Sequence, residues 1–321
     1  MIRKAELHVH LEGTATPLLV RQMAEKNGAE LDPTTFASDG EYRWSDFWDF
    51  LKCYDKAASA IRSRSDYQLV TYDYLRRASE EGCIYVETFS SPDHAASVGI
   101  SYEDHLLGIA DGIDQARDEF GIEGRIIVTC VRHLGPESAL NVAQQVLDTP
   151  HPYVVGFGMG GDEAQFHPKD FAPAFNLVAE SGLPTTNHAG EFGGPDSIRA
   201  TLDYLPVSRL GHGVRSIEDN DLVAHLAKIK IPLELCPGSN VSTGLYASVS
   251  EHPFNQLKNA GCIVTLSSDD PPFFHTSIGK EYDQTAAVFG YTDEDMKNIT
   301  RNSIQAAFCE DSLKEKLLKL V

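Results

Sequence analysis

The sequence predicts an α/β fold, a (β/α)8 TIM barrel with a helical insertion after strand one. Two features of the 321 residues indicate it: eight short apolar runs, and amphipathic helical stretches between most of them. Strands that alternate with helices pair in parallel, and eight is the number that closes such a barrel. An open doubly wound sheet is the alternative. No repeat or linker marks a boundary, so we expect one domain over residues 1–321.

The apolar runs are short and are bounded by turn residues, which is typical of strands. The predicted strands are residues 4–10, 83–89, 124–131, 153–158, 183–190, 209–213, 232–236 and 262–268. The stretches between them repeat apolar residues at the helical period of about 3.6. The predicted helices are residues 66–82, 102–119, 136–147, 170–181, 195–204, 218–228 and 253–260. The helices after the eighth strand are expected to complete the packing.

The interval between the first two strands is too long for one helix, and residues 42–61 fill it. Within this insertion Trp44, Phe47, Trp48 and Leu51 recur at helical spacing. Such a stripe either faces the core or forms an apolar lid over a site, and the two interpretations are compatible.

The composition excludes several classes of partner. The formal charge of −20 argues against nucleic acid, because binding to phosphates needs a basic surface. No apolar run approaches the roughly 20 residues of a membrane span, and the first residues lack a signal-peptide stretch. The six cysteines are scattered without a CxxC pair, which is typical of buried thiols in a reducing compartment. We therefore expect a cytoplasmic protein with a small-molecule partner.

Polar side chains cluster where predicted strands end, which is where barrel enzymes place their chemistry. Each residue alone is more typical of a structural hydrogen bond or a turn, but together they predict a metal site. These residues are His8, His10, His188, Glu191, His212, Asp269 and Asp270. His8 and His10 are two apart on one strand, so their imidazoles point to the same side.

Three imidazoles and one carboxylate suit a borderline divalent ion, and zinc is the usual choice. We expect His8, His10, His188 and Asp269 to bind one Zn2+ per chain. A second metal would call for a bridging group, often a modified lysine on strand four, and the fourth strand has no lysine. Zinc lowers the pKa of a bound water from about 15.7 to about 7.

Two acid–base groups remain beside the predicted ligands. His212 lies between two glycines and can take the proton of the water or orient the nucleophile. Glu191 can donate a proton to substrate if burial raises its pKa; its alternative role is a helix cap. Asp270 is expected to hydrogen-bond substrate instead of metal.

Six motifs appear in order between residues 5 and 275: LHVHLEG, GGDE, NHAGE, RLGHG, LCPGSN and LSSDDPPFF. With these motifs the chain resembles the adenosine/adenine deaminase family of the amidohydrolase superfamily. The signature of cytidine-type deaminases is absent. The resemblance implies a single hydrolase barrel acting on a C–N bond of an aminopurine.

The resemblance also implies a role for each matching position. The implied zinc ligands are His8, His10, His188 and Asp269. Glu191 matches the proton donor to purine N1, and His212 matches the general base. Asp270 matches the group that hydrogen-bonds N7, and the backbone N–H of Gly161 matches the contact to N3.

The motifs give different indications of the substrate. Gly211 before His212, together with GGDE, resembles the nucleoside branch and is expected to leave open space. This favours deamination of adenosine and 2'-deoxyadenosine to inosine and ammonia in purine salvage. Glu12, where many adenosine deaminases have Asp, also occurs in the branches that act on adenine or 6-aminodeoxyfutalosine. Those two substrates are the alternatives, with Glu12 as a substrate-binding residue in each case.

Three more residues could reach the far end of the substrate: His94, Arg132 and His133. We expect a solvated loop contact for each, with contact to the substrate as the alternative, and an Arg132 facing the pocket would favour a carboxylate-bearing substrate. Two other functions stay open at this point. One is a non-catalytic purine-binding barrel, and the other is a different hydrolase such as an amidase.

Overall fold

The computed structural model describes residues 2–37 and 40–321. Eight parallel strands form one sheet in sequential order, β1 to β8, which curls into a nearly closed barrel. The strands are β1 Lys4–His10, β2 Cys83–Ser90, β3 Glu123–Val131, β4 Val154–Gly160, β5 Thr185–Ala189, β6 Val207–His212, β7 Pro232–Leu235 and β8 Ile263–Leu266. The predicted barrel is confirmed, and the predicted strand boundaries agree to within a few residues.

The barrel closes through residues of the predicted metal site. The N–H of His10 donates to the carbonyl of Asp269 at 2.9 Å, and the N–H of Asp269 donates to the carbonyl of His8 at 3.1 Å. Val9 and Asp269 form the corresponding parallel bridge. The contact between the first and last strands therefore also sets the relative positions of their histidines and aspartate.

Helices surround the barrel and follow the strands. They are α1 Pro17–Asn27, α2 Phe47–Ala58, α3 Arg64–Glu80, α4 Pro92–Ser97, α5 Tyr102–Phe120, α6 Pro136–Asp148, α7 Ala172–Glu180, α8 Gly194–Tyr204, α9 Asn220–Ile229, α10 Pro237–Ser242, α11 Phe254–Asn259, α12 Ile278–Phe289, α13 Asp293–Ala306 and α14 Asp311–Leu318. Among the described residues, no helix combines the length and the apolar character needed to cross a membrane.

The barrel interior holds a buried column of charges below the site. Arg209 lies between two carboxylates, with Nε 2.5 Å from Glu234 Oε1 and Nη2 2.6 Å from Glu87 Oε2. Its guanidinium carbon stands 3.6 Å from the ring centre of Phe308, and the N–H of Phe308 donates to Glu87 at 2.6 Å. The segment between α13 and α14 is thereby joined to the barrel interior.

The insertion covers the C-terminal end of the barrel. Tyr42 stacks on Phe273 with ring centres 3.8 Å apart, and Phe47 packs on Phe192 at 4.1 Å. Phe47 and Leu51 line the pocket below, whereas Trp48 is half exposed. The aromatic stripe of the insertion thus contributes both to the pocket wall and to the surface.

Candidate active site

The structure brings the predicted site residues together at the C-terminal end of the barrel, where all of them except the fully buried His8 line one pocket. Donor atoms of four residues lie within 4.8 Å of one another: His8, His188, His212 and Asp269. His10 joins them, since its Nε2 lies 3.1 Å from His188 Nε2 and 3.3 Å from Asp269 Oδ1. Four histidines and one aspartate therefore form a single cluster.

The protonation of these rings fits a metal ion. His8 Nδ1 donates to Glu234 Oε2 at 2.8 Å, and His188 Nδ1 donates to the carbonyl of Met159 at 2.8 Å. Both rings therefore turn an Nε2 lone pair towards the cluster, the arrangement usual for ligating histidines. His8 Nε2 is buried and has no hydrogen-bond partner among the described residues. A shared cation would satisfy lone pairs that otherwise face one another.

His212 differs from the other imidazoles of the cluster. Asn240 Nδ2 lies 3.3 Å from its Nδ1, and because an amide nitrogen can only donate, this contact places the ring proton on Nε2. His252 Nε2 at 3.1 Å from Asn240 Oδ1 supports that orientation of the amide. Burial lowers the pKa of His212 to about 3, so the ring is neutral. These contacts favour His212 as a neighbour of the metal instead of a ligand.

Asp269 supplies a charged oxygen to the cluster. Ser239 Oγ donates to its Oδ2 at 2.6 Å. Burial opposes its charge, but the neighbouring imidazoles of His10 and His8 hold the pKa of Asp269 well below its usual range. Its φ of 64° is in the left-handed region that non-glycine residues seldom adopt, a strain often found at functional sites.

Glu191 has the environment of a proton donor. It is buried, with Oε2 3.6 Å from His212 Nε2, and Oε1 accepts from Asn240 Nδ2 at 3.2 Å. Burial, with the nearby charge of Asp269, raises the pKa of Glu191 well above its ordinary range. A neutral carboxylic acid and a neutral imidazole thus stand side by side, a pairing suited to acid–base work.

Asp270 and Gly161 line the same pocket, and Gly13 packs against Asp270. Asp270 Oδ1 is buried without a hydrogen-bond partner among the described residues, so it is free to meet a ligand. A Cβ at position 13 would lie 1.7 Å from that oxygen, so glycine is required there. Gly161 has φ 100° and exposes its backbone beside His133.

Glu12 forms the opposite end of the pocket and is surrounded by hydrogen-bond donors. Ser90 Oγ donates to its Oε1 at 2.7 Å, Tyr54 OH donates to Oε2 at 3.2 Å, and the N–H of Ser91 lies 3.3 Å away. His105 Nε2 stands 2.7 Å from Ser90 Oγ and completes the chain. These contacts give both oxygens of the Glu12 side chain a hydrogen-bond donor.

One expectation from the sequence is wrong: Gly211 does not open onto free space, since a Cβ there would lie 3.1 Å from His188 Cα and from His8 Cε1. Arg132 makes a loop contact, as expected, because its guanidinium donates to the carbonyls of Gln165 and Phe166 at 2.8 and 2.9 Å. The side chain is buried instead of solvated. His94 and His133 do line the pocket, and His94 Nε2 lies 3.1 Å from Asp55 Oδ1.

Sequence reasoning assigned no role to several residues that support the site. Ser239 and Asn240 lay within the quoted motif LCPGSN, and Glu163 lay within GGDE. Glu234 could have been recognised from the sequence, since an acidic residue inside a buried strand is unusual and indicates a specific partner. Ser90 lacked any such signal and is recognised only from its contact with Glu12.

Comparisons with known proteins agree with this geometry. A sequence profile described as adenosine deaminase matches residues 3–321. The adenine deaminase of Chelativorans sp. is 47% identical over 99% of this chain and 97% of its own length, and that of Sinorhizobium fredii is 44% identical with the same coverage. The crystal structure of an adenine deaminase from Arthrobacter aurescens superposes with a TM-score of 0.93, at 31% identity and 99% and 98% coverage. An amidohydrolase from Burkholderia ambifaria, with bound Zn, has a TM-score of 0.88, at 25% identity and 98% and 88% coverage.

Proposed function

This chain belongs to the adenosine deaminase family, and we propose that it is a zinc-dependent adenine deaminase, which converts adenine and water to hypoxanthine and ammonia. The observation that carries the choice of adenine is that relatives matching nearly the whole chain, at 42–47% identity, are named adenine deaminases. The nucleoside-type expectation loses part of its support, because position 211 leaves no open space. We further propose that residues 1–321 act as one domain.

The proposed metal ligands are the four residues His8, His10, His188 and Asp269. The lone pairs of the imidazoles and the ionised carboxylate suit zinc, and a structural relative contains zinc. When bound, zinc lowers the pKa of water and supplies a nucleophile at neutral pH. Glu234 holds His8 in the required tautomer through its 2.8 Å contact with Nδ1.

The acid–base steps are carried by Glu191 and His212. Glu191 protonates N1 of the purine, which makes C6 electrophilic. The C6–O bond then forms to give a tetrahedral carbon, and the C6–N bond breaks afterwards as ammonia leaves. His212 orients the attacking oxygen through Nε2–H, which refines the role of general base that the resemblance implied. Of the two protons of water, one leaves with ammonia and the other restores Glu191.

The remaining polar groups hold the purine ring. Asp270 faces N7, the N–H of Gly161 faces N3, and Glu12 accepts from the N–H at N9 of the free base. A nucleoside has no hydrogen on N9, so Glu12 would lose a donor and meet a sugar instead. Glu12 would keep its donors from Ser90, Ser91 and Tyr54, so only the hydrogen bond to N9 is lost. That loss costs about 0.5–1.5 kcal/mol, which corresponds to a discrimination of about 2- to 13-fold.

The direct test compares ammonia release from adenine, adenosine and 6-aminodeoxyfutalosine under identical conditions, with metal content measured on the same preparation. We expect about one zinc per chain and the highest kcat/KM on adenine. Glu191→Gln should retain the metal and lose at least about 100-fold in kcat, whereas Glu180→Gln, an exposed control, should match the wild type. A higher kcat/KM on either other substrate, or no ammonia from adenine, would contradict the proposal.

A further inference from the structure

One buried carboxylate, Glu163, binds the loop that carries the proposed proton donor. Its Oε1 accepts from the N–H groups of Glu191 at 2.7 Å and Phe192 at 3.0 Å. Its Oε2 accepts from the N–H of Gly190 at 2.8 Å and from Ser197 Oγ at 2.6 Å. The side chain is 6% exposed, so these contacts are shielded from water. One carboxylate therefore satisfies three consecutive backbone amides.

Such an arrangement is strong for two physical reasons. Successive backbone N–H groups that converge on one point form a cavity suited to an anion. Hydrogen bonds to an ionised acceptor are also shorter and about twice as strong as neutral ones. The loop of residues 190–194, named here the donor loop, is therefore held by charge as well as by shape. A Cβ at Gly193 would lie 2.5 Å from Glu163 Oε2, which shows how closely the loop wraps this carboxylate.

Glu163 itself lies on the loop next to the donor loop at the rim of the barrel. It lies two residues after Gly161, in the loop that follows β4, whereas the donor loop follows β5. Neighbouring strands of the barrel thus present their loops to each other, and this side chain spans the gap. Under the proposed function, Glu191 meets N1 and Gly161 meets N3, which lie on one edge of the purine.

We propose that Glu163 is a positioning residue for deamination, which fixes the donor loop so that Glu191 meets the purine edge held by Gly161. This inference rests on the proposed function for the identity of the substrate, but the holding of the loop does not. Glu163 acts through Glu191 and touches no reacting atom. A displacement of about 1 Å at a reacting group can cost on the order of 100-fold in rate.

The experiment is a double-mutant cycle on the metal-loaded enzyme. Glu163→Gln keeps the shape of the side chain but turns an NH2 group towards the N–H groups of the donor loop. We therefore expect kcat to fall about 10- to 100-fold, with KM changed less than about threefold. In the Glu191→Gln background, the same change should cost less than about threefold, because residues that act as one unit are not additive. Glu81→Gln is the matched control, since Glu81 also binds a backbone N–H and a serine, Gly279 and Ser277, outside the pocket.

A second measurement follows the loop without using activity. Hydrogen exchange of the amides of residues 190–192 should accelerate in Glu163→Gln and stay unchanged in Glu81→Gln. If Glu163→Gln does not fold, Ser197→Ala takes its place, because it removes only one hydrogen bond to Glu163. The same double-mutant cycle and the same exchange measurement are then made on Ser197→Ala, and we expect a smaller loss of about two- to fivefold in kcat.

The outcomes separate this inference from the proposed function. An equal loss of kcat in both backgrounds, or unchanged exchange in the donor loop, would overturn the role of Glu163. A wild type that deaminates adenosine but not adenine would overturn the proposed substrate only, and the cycle would then be measured on adenosine. Protection of the loop amides that depends on Glu163 supports the positioning role in either case.

Discussion

Glu234→Gln is expected to weaken zinc binding, because Glu234 supports His8 from inside the barrel. Its Oε2 accepts from His8 Nδ1 at 2.8 Å, and both side chains are fully buried. Its other oxygen is engaged by Arg209 Nε at 2.5 Å, so an amide in its place must turn an NH2 group towards a donor on one side. Either orientation disturbs a partner of Glu234, and the charge that raises the basicity of His8 is lost.

The expected magnitude follows from measured losses of this kind. Removing the partner of a ligating histidine typically costs 10- to 100-fold in metal affinity, about 1.4–2.7 kcal/mol at 1.36 kcal/mol per decade. The assay is competition for zinc against a chromophoric chelator at fixed pH, with folding checked by circular dichroism. Activity is not needed for this measurement, so it holds whatever the substrate proves to be.

The matched control is Glu87→Gln, which removes the other carboxylate of Arg209 without touching His8. Breaking a buried ion pair costs about 3–5 kcal/mol, so both variants should unfold at lower denaturant concentration than the wild type. Only Glu234→Gln should bind zinc more weakly. Equal zinc affinity in all three proteins, or an equal loss in both variants, would refute the reasoning that Glu234 acts through His8.

Two further predictions concern stability and substrate binding. Burial raises the pKa of Glu281 to about 7, so between about pH 4.5 and 7 the folded protein holds a proton that the unfolded chain has released. The free energy of unfolding should therefore fall by up to about 3 kcal/mol as the pH rises across this interval. Urea titrations at pH 5 and pH 8 should show that Glu281→Gln lacks this contribution. An identical pH dependence in both proteins would contradict the raised pKa of Glu281. Gly13→Ala would place a Cβ 1.7 Å from Asp270 Oδ1 and should raise KM or lower kcat at least about tenfold with zinc retained. Gly28→Ala, at a helix end with nothing within 4 Å, is its control and should lose only about 1 kcal/mol of stability; equal activity of the two variants would contradict the prediction.

The cluster of histidines and Asp269 proposed to bind a metal was predictable because its residues carry local signals. A strand has a period of two, so the spacing of His8 and His10 places both imidazoles on one side. Parallel strands end at the same rim of a barrel, so His188 and Asp269 had to approach them once the fold class was known. The pairing of His10 and His8 with Asp269 at the closure of the barrel agrees with that expectation.

The supporting contacts depend on distances across the chain that no local pattern encodes. His8 and Glu234 are separated by 226 positions, and Glu163 and Glu191 by 28. Periodicity shows that such residues are buried in strands or follow them, but the partner is chosen by the stagger and tilt of neighbouring strands. The same limit explains the error at Gly211, whose surroundings depend on how closely His188 on β5 and His8 on β1 approach its strand.

Short stretches of this chain determine the order of strands and helices, because that order follows from local hydrophobic periods. They also determine which end of the barrel holds the candidate site and which side chains can offer donor atoms to a metal, because these follow from residue type and position in a strand. The tautomer of each histidine, the hold on the donor loop and the polarity of the pocket at Glu12 arise from contacts between distant segments. Those contacts exist only once the sheet has closed, since closure brings strand ends that are far apart in the chain to one rim of the barrel.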